Sequence, residues 1–208
     1  MIIDTHSHIY LAEFDVDRES MLMRAENEGI NLILMPAVDQ ETYLAMLKVE
    51  KEFSEKSHSM MGLHPCSVKE GYKQELKIAE EYLEKRRFVA VGETGLDFYW
   101  DKTFTKEQYE SFQTQIEWAK HYDIPVVIHS RNSIDECIST IKENQQGNLK
   151  GVFHCFSGDE RPWPSQAPPS ACSTACAAGA PRGTATAMPR DLPLPVEPRR
   201  RTARSERA

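Results

Sequence analysis

No run in the 208 residues approaches the roughly 20 consecutive apolar side chains that a helix needs to cross a bilayer. Nor does Met1 open onto a basic stretch, an apolar stretch and a small-residue cleavage site, so neither a membrane span nor a secretory leader is expected. Cysteines are few and odd in number: Cys66, Cys137, Cys155, Cys172 and Cys176, at irregular spacing. That excludes a disulfide framework and predicts reduced thiols in a cytoplasmic protein. Also missing is a glycine-rich phosphate loop after the first apolar run, where a dinucleotide-binding sheet would need one.

Charge and proline are unevenly spread. Residues 1–160 hold 17 Lys+Arg against 29 Asp+Glu, a net charge of −12. Residues 161–208 hold 8 Arg, no Lys and 3 acids, a net charge of +5, together with 9 of the 12 prolines. Ile, Phe, Tyr, Asn and His are absent from this second stretch, which cannot bury enough apolar surface to offset its chain entropy. The expectation is a partial enzyme-like body over 1–160 and a disordered Pro/Ala/Arg-rich tail over 161–208. The abrupt change of vocabulary at Arg161 reads as a frame-shifted or fused segment.

Within the body, short apolar runs rich in Val and Ile recur at 1–4, 30–36, 60–63, 88–92, 125–129 and 149–154, and each reads as a buried strand. Helical patterns lie between them. Asp17 and Asp39 can cap two of these, the first ending at Gly29 and the second burying Leu44, Leu47 and Phe53. Residues 75–86 place Leu76, Ala79 and Leu83 on one face. Thr105 with Gln108, and Ser133 with Glu136, have capping-box spacing before further apolar faces (Tyr109, Phe112, Ile116 and Ala119; then Ile134, Cys137, Ile138 and Ile141). Strands alternating with helices predict an α/β protein with a parallel sheet. Without the phosphate fingerprint, a (β/α) barrel is favoured over an open doubly wound sheet, here with about six strands.

Polar residues gather at the ends of these runs, where parallel α/β proteins carry their chemistry. The first run ends Asp4-Thr5-His6-Ser7-His8, and residues two apart on an extended chain face the same side. Glu93 directly follows the fourth run, and His129 and His154 close the fifth and sixth. Four imidazoles and one carboxylate suit a borderline divalent ion, and one zinc would be satisfied by three or four of them. Five ligands therefore suggest two cations bridged by Glu93, an arrangement used to cleave phosphoesters. Asp97 reads as a loop anchor accepting backbone hydrogen bonds. Phe98, Tyr99 and Trp100 read either as a stacking lip or as ordinary loop packing. Cys155 reads as packing against a helix, Cys66 as a loop thiol, Cys137 as a helix-core thiol, and His58 and His121 as surface residues.

Taken in order, His6-x-His8, Gly62-Leu63-His64-Pro65, Gly92-Glu93-Thr94-Gly95-Leu96-Asp97, Val127-Ile128-His129-Ser130-Arg131 and His154-Cys155-Phe156-Ser157-Gly158 resemble the successive signatures of the TatD family of metal-dependent deoxyribonucleases. The resemblance implies a TIM (β/α)8 barrel of the metal-dependent hydrolase type, truncated after about six strands, and 3′–5′ exonuclease-like DNase activity. It implies two divalent metal ions (Mg2+, Mn2+ or Zn2+), one held by His6 and His8, the other by His129 and His154, with Glu93 bridging them as the catalytic carboxylate. His64 and Arg131 are implied as substrate-binding, and DNA ends or single-stranded DNA as substrate.

The pattern stops after Gly158, whereas the family continues through two more strands, the last carrying an Asp that binds metal. Asp191 has no strand before it and does not inherit that role. Open sheet edges would then invite self-association. Two other readings stand beside the nuclease: a hydrolase of another ester or amide, such as an aminoacyl-tRNA, and an inactive remnant that binds metal weakly or pairs with intact homologues.

Overall fold

The computed structural model describes residues 2–156. The expectations for residues 161–208, including Cys172, Cys176 and Asp191, lie outside them. Six strands and five α-helices alternate: β1 (Ile2–Asp4), α1 (Arg18–Asn27), β2 (Ile30–Met35), α2 (Gln40–Glu52), β3 (Ser57–Ser59), α3 (Tyr72–Lys85), β4 (Val91–Asp97), α4 (Thr105–His121), β5 (Val126–Arg131), α5 (Ile134–Asn144) and β6 (Gly151–Phe153). All strand pairs are parallel, in the order β1-β2-β3 and β4-β5-β6. The fold is thus α/β with two three-stranded parallel sheets, and the described residues form no closed barrel.

The break between the sheets has a local cause. The third strand was expected at 60–63 but forms at Ser57–Ser59. Met61 then makes a single bridge to Val91. At Leu63 the backbone N–H and C=O are taken by the side-chain amide of Gln115 from α4, at 2.8 and 3.0 Å, instead of by a neighbouring strand. Hydrogen bonds from Gly92 N–H to Met61 C=O, and between Ala37 and Gly92 and Glu93, hold the seam.

The fourth and fifth strands run further than the apolar pattern indicated, so Glu93 and Asp97 lie within β4 and not past its end, and His129, expected as the last residue of its strand, lies inside the β4–β5 ladder. Every residue of β4 is buried. Helix α4 covers this sheet with Phe112, Ile116 and Ala119, each at most 2% exposed; Tyr109, expected beside them, is 36% exposed. Truncating a side chain placed like Phe112 costs about 3–5 kcal/mol. α3 buries Leu76, Ala79 and Leu83 as expected.

The apolar face of α2 meets expectation at Leu47 and Phe53, which pack partly buried against the core, but not at Leu44. Leu44 is 71% exposed, while Tyr43, Met46 and Val49 are buried. The Asp39–Thr42 capping box sets the first turn, and the Tyr43 hydroxyl donates to Gly62 C=O at 2.9 Å, which anchors that side inward. The boxes expected at Thr105 and Ser133 do not form, and Asp17 pairs with Arg24 instead of capping. In each case a stronger partner competes: Gln108 bonds the backbone of Asp97, and Ser133 Oγ donates to Leu96 C=O at 2.6 Å. Cys155 is exposed at φ 45°, so it does not pack against a helix, whereas Cys66 is exposed on a short 3-10 helix (Pro65–Ser67) instead of a loop, and Cys137 is buried in α5. Among the described residues, no helix is long and apolar enough to cross a membrane.

Candidate metal centre

The strand period places Glu93, Gly95 and Asp97 on one face of β4, two residues apart. Across the ladder Gly95 is paired with His129, so the imidazole comes to lie between the two carboxylates. Its Nδ1 is 3.1 Å from Glu93 Oε1 and its Nε2 is 2.9 Å from Asp97 Oδ2. Gly95 has φ 136°, and a Cβ there would stand 2.1 Å from the His129 carbonyl oxygen, so only glycine permits this approach.

Glu93 is 2% exposed and is the hub of the site. Its Oε2 is 3.1 Å from His6 Nε2, 3.8 Å from His64 Nε2 and 4.0 Å from His8 Nε2. His154, just past β6, stacks on His6 with ring centroids 3.5 Å apart. Five residues far apart in the chain, His6, His8, Glu93, His129 and His154, thus converge with His64 in one cluster. Arg131 lies at its rim, its guanidinium 4.0 Å from the Tyr99 ring centre and 5.0 Å from that of Trp100. His121 is exposed and His58 half-buried on β3.

Burial and charge sort the titrations. Burial pushes His64 and His154 down to about 4, with neighbouring imidazoles adding to the effect and Glu93 opposing it. Burial also lowers His8, assisted by His6. Burial by itself would raise Glu93, but hydrogen bonds from His129 and His6 hold its carboxyl far below the usual carboxylate range. In His129 burial is outweighed by Glu93 and Asp97, which raise it. Asp97 is held low against burial by the Trp100 amide and His129.

Hydrogen-bond bookkeeping assigns two tautomers. Tyr10 OH donates its one proton to Pro36 C=O at 2.7 Å, so it accepts at 2.8 Å from His8 Nδ1–H. That leaves the His8 Nε2 lone pair facing Glu93. His64 Nδ1 accepts from the Cys66 amide at 3.1 Å, so the neutral ring carries its proton on Nε2, toward the cluster.

Two groups of three have donor atoms within 4.8 Å of one another: His6, His8 and Glu93, and His64, Glu93 and His129. Buried nitrogen and oxygen donors around an ionised carboxylate fit a divalent cation. So does His6 Nδ1, buried and without a hydrogen-bond partner among the described residues. Sequence reasoning placed Asp97 only as a loop anchor. It does accept the Tyr99 and Trp100 amides, at 2.9 and 3.1 Å, but it also bonds His129. The alternation of Glu93, Gly95 and Asp97 was the available signal. A groove of about 940 Å3 between α3, α4 and α5, lined by Glu80, Glu110 and Glu143 among others, contains no histidine and lies on the outer helical surface.

The TatD related DNase family matches residues 3–164. The chain is 34% identical over 158 residues to the uncharacterized metal-dependent hydrolase YjjV of Escherichia coli, covering 75% of this chain and 60% of that protein. It is 30% identical over 158 residues to the uncharacterized metal-dependent hydrolase YabD of Bacillus subtilis (76% and 62% covered). It is also 30% identical over 167 residues to a Danio rerio protein named "Putative deoxyribonuclease tatdn3" (75% and 62% covered). The crystal structure of the E. coli TatD homolog YJJV superposes with a TM-score of 0.70 at 33% identity, over 76% of this chain and 61% of that one. The chain spans about three-fifths of the length of the curated relatives it matches. Matched over residues 3–164, with histidines and a glutamate gathered where they could hold a metal ion, this chain belongs to the TatD related DNase family.

Proposed function

We propose that the chain is a divalent-metal-dependent phosphodiesterase acting on DNA ends, of the 3′–5′ exonuclease type, its two sheets forming part of a metal-dependent hydrolase barrel of the TIM type. The observation that carries this reading is the single ionised carboxylate of Glu93 with imidazole nitrogens of His6, His8, His64 and His129 within 3.1–4.0 Å of it. His6 and His8 would hold one ion, His129 and His154 a second, and Glu93 would bridge them. Two such ions, when bound, supply Lewis-acid activation of a phosphodiester and a nucleophile derived from water.

The remaining residues bind and orient. His64, neutral at pH 7 and protonated on Nε2, donates a hydrogen bond to a phosphate oxygen in place of ligating. This favours its substrate role over membership of a metal triad. Arg131 offers a bidentate fork to the same phosphate. Tyr99 and Trp100, 52% and 68% exposed, present rings on which an unpaired base can stack. The net charge of −12 over residues 1–160 opposes broad contact with a duplex backbone, so recognition is local and favours frayed or single-stranded ends.

The test uses the purified full chain with Mg2+, Mn2+ or Zn2+ on an end-labelled single-stranded oligonucleotide, its duplex, bis-p-nitrophenyl phosphate and an N-acyl amino acid. Stepwise release of nucleotides from single strands, abolished by Glu93→Gln and by His154→Ala, is expected. Turnover of the N-acyl substrate with none of either phosphodiester would assign the site to amide chemistry instead.

A further inference from the structure

Asp97 is 1% exposed and the most heavily constrained side chain beside the cluster. Gln108 of α4 pins its backbone from both sides, accepting from Asp97 N–H at 2.9 Å and donating to Asp97 C=O at 3.3 Å. Oδ1 accepts the amides of Tyr99 and Trp100. Oδ2 faces His129 Nε2 at 2.9 Å and accepts from the Cys66 thiol at 3.4 Å. A carboxylate held in this way accepts only, so the nitrogen facing it must carry hydrogen.

We propose that Asp97 is a positioning residue: one of its oxygens keeps a proton on His129 Nε2, so that Nδ1, whose hydrogen faces Glu93 Oε1 at 3.1 Å in the absence of a cation, is the nitrogen given up to the cation site, while the other oxygen holds the Tyr99–Trp100 lip in place. The inference rests on the metal-binding half of the function proposed above and names the outer partner on which that binding depends. A carboxylate behind a ligating imidazole raises its basicity and fixes its ring, and losing such a partner commonly weakens metal binding about 10–100-fold. One side chain therefore sets both the cation arm and the substrate-facing lip. The strand supplies the coupling, because residues 93 and 97 share a face and His129 lies opposite the glycine between them.

Asp97→Asn separates the two jobs. The amide oxygen still accepts from Tyr99 and Trp100 N–H, since turning the NH2 toward them would oppose two donors. The NH2 then meets His129 Nε2 and drives the ring to the Nδ1–H tautomer. The experiment measures Zn2+ affinity of the full chain by calorimetry and the ring 15N shifts of His129 in wild type and Asp97→Asn. A thermal melt and the near-UV signal of Trp100 report folding and the lip. Expected is a loss of about 10–100-fold in Zn2+ affinity with folding and lip retained, and a protonated Nε2 in wild type that becomes unprotonated in the variant. The proposal is overturned if the variant binds Zn2+ as tightly as wild type, or if wild-type His129 binds the ion through Nε2. Should the variant not fold, the wild-type ring shifts alone decide between these. Nuclease activity is not a readout, so a chain that binds Zn2+ with the expected tautomer yet leaves DNA intact sinks the nuclease reading and leaves Asp97 in its role. A chain that takes up no Zn2+ sinks the metal reading, and the tautomer then read in alkaline buffer still tests Asp97.

Discussion

Within the β4–β5 ladder, Glu93, Asp97 and His129 form a charged, mutually bonded set; on the rim beyond the strand ends, His6, His8, His64 and His154 surround it with fewer partners. In the ladder both carboxyls are held ionised and the imidazole is pushed toward its protonated form. On the rim His8, His64 and His154 are kept neutral, chiefly by burial. The difference is one of backbone control. A buried strand cannot hold an unsatisfied carboxylate, so its ionised residues are bonded to one another, although the Thr94 hydroxyl beside them has no partner among the described residues. Rim residues can leave a nitrogen unspent, as His6 Nδ1 does. The ladder thus fixes the charge of the site, and the rim supplies neutral imidazoles around it.

Four experiments break or sharpen this contrast, beginning with the largest effect. Gly95→Ala drives a methyl group to 2.1 Å from the His129 carbonyl at φ 136°. Overpacking and backbone strain together should cost about 2–6 kcal/mol by urea unfolding. Gly147, whose added Cβ would meet nothing within 4 Å, provides the control, with a cost of about 1 kcal/mol from its positive φ alone. Equal costs at both positions would mean that the ladder is not tightly closed.

Glu93→Gln keeps the shape and removes the charge at the hub. Metal affinity should drop by more than about 100-fold, beyond the range expected for an outer partner. A calorimetric titration checks this, and near-normal binding would shift the hub to the rim. On the rim itself, Tyr10→Phe removes the acceptor of His8 Nδ1–H and the donor to Pro36 C=O. The loss in affinity should be nearer tenfold, roughly the low end for such partners. A loss as large as that of Glu93→Gln would erase the distinction between ladder and rim.

The smallest effect is on pH dependence in chelator-treated protein. His64 and His154 ionise near 6.5 when unfolded but near 4 when folded, so the unfolded chain binds more protons between these values. Their contribution is fully present above about 6.5 and is lost as the pH falls toward 4. His8 has the same sign. His129, raised in the fold, has the opposite sign: its contribution is complete below 6.5 and is lost only as the pH rises through its folded value. The net expectation is a urea midpoint that falls on acidification through this window. A constant or rising midpoint would show that the rim imidazoles are not held neutral.

Much of this site was legible along the chain because its signals are local. His6 and His8 stand two apart, Glu93 follows an apolar run, and His129 and His154 each close one. What escaped depended on pairings between distant residues. Asp97 and His129 are 32 positions apart, and only the register that sets Gly95 opposite His129 brings them together. The burial of Tyr43 in place of Leu44 follows from a hydroxyl reaching Gly62, which apolar spacing does not encode. The division into two sheets follows from Gln115 taking the hydrogen bonds that a longer third strand would have used.

The stacking of His6 on His154 has a mechanical consequence. β1 and β6 are edge strands of different sheets, yet the rings just past their ends touch. Cations held by His6 on one side and His154 on the other, joined through Glu93, would clasp the earliest and latest strands of the described fold to its middle, closing a loop of nearly the whole body. Metal would then be a fastener as much as a reagent: stripping it should loosen the outermost strands first and leave the β4–β5 pair the last to exchange its amides.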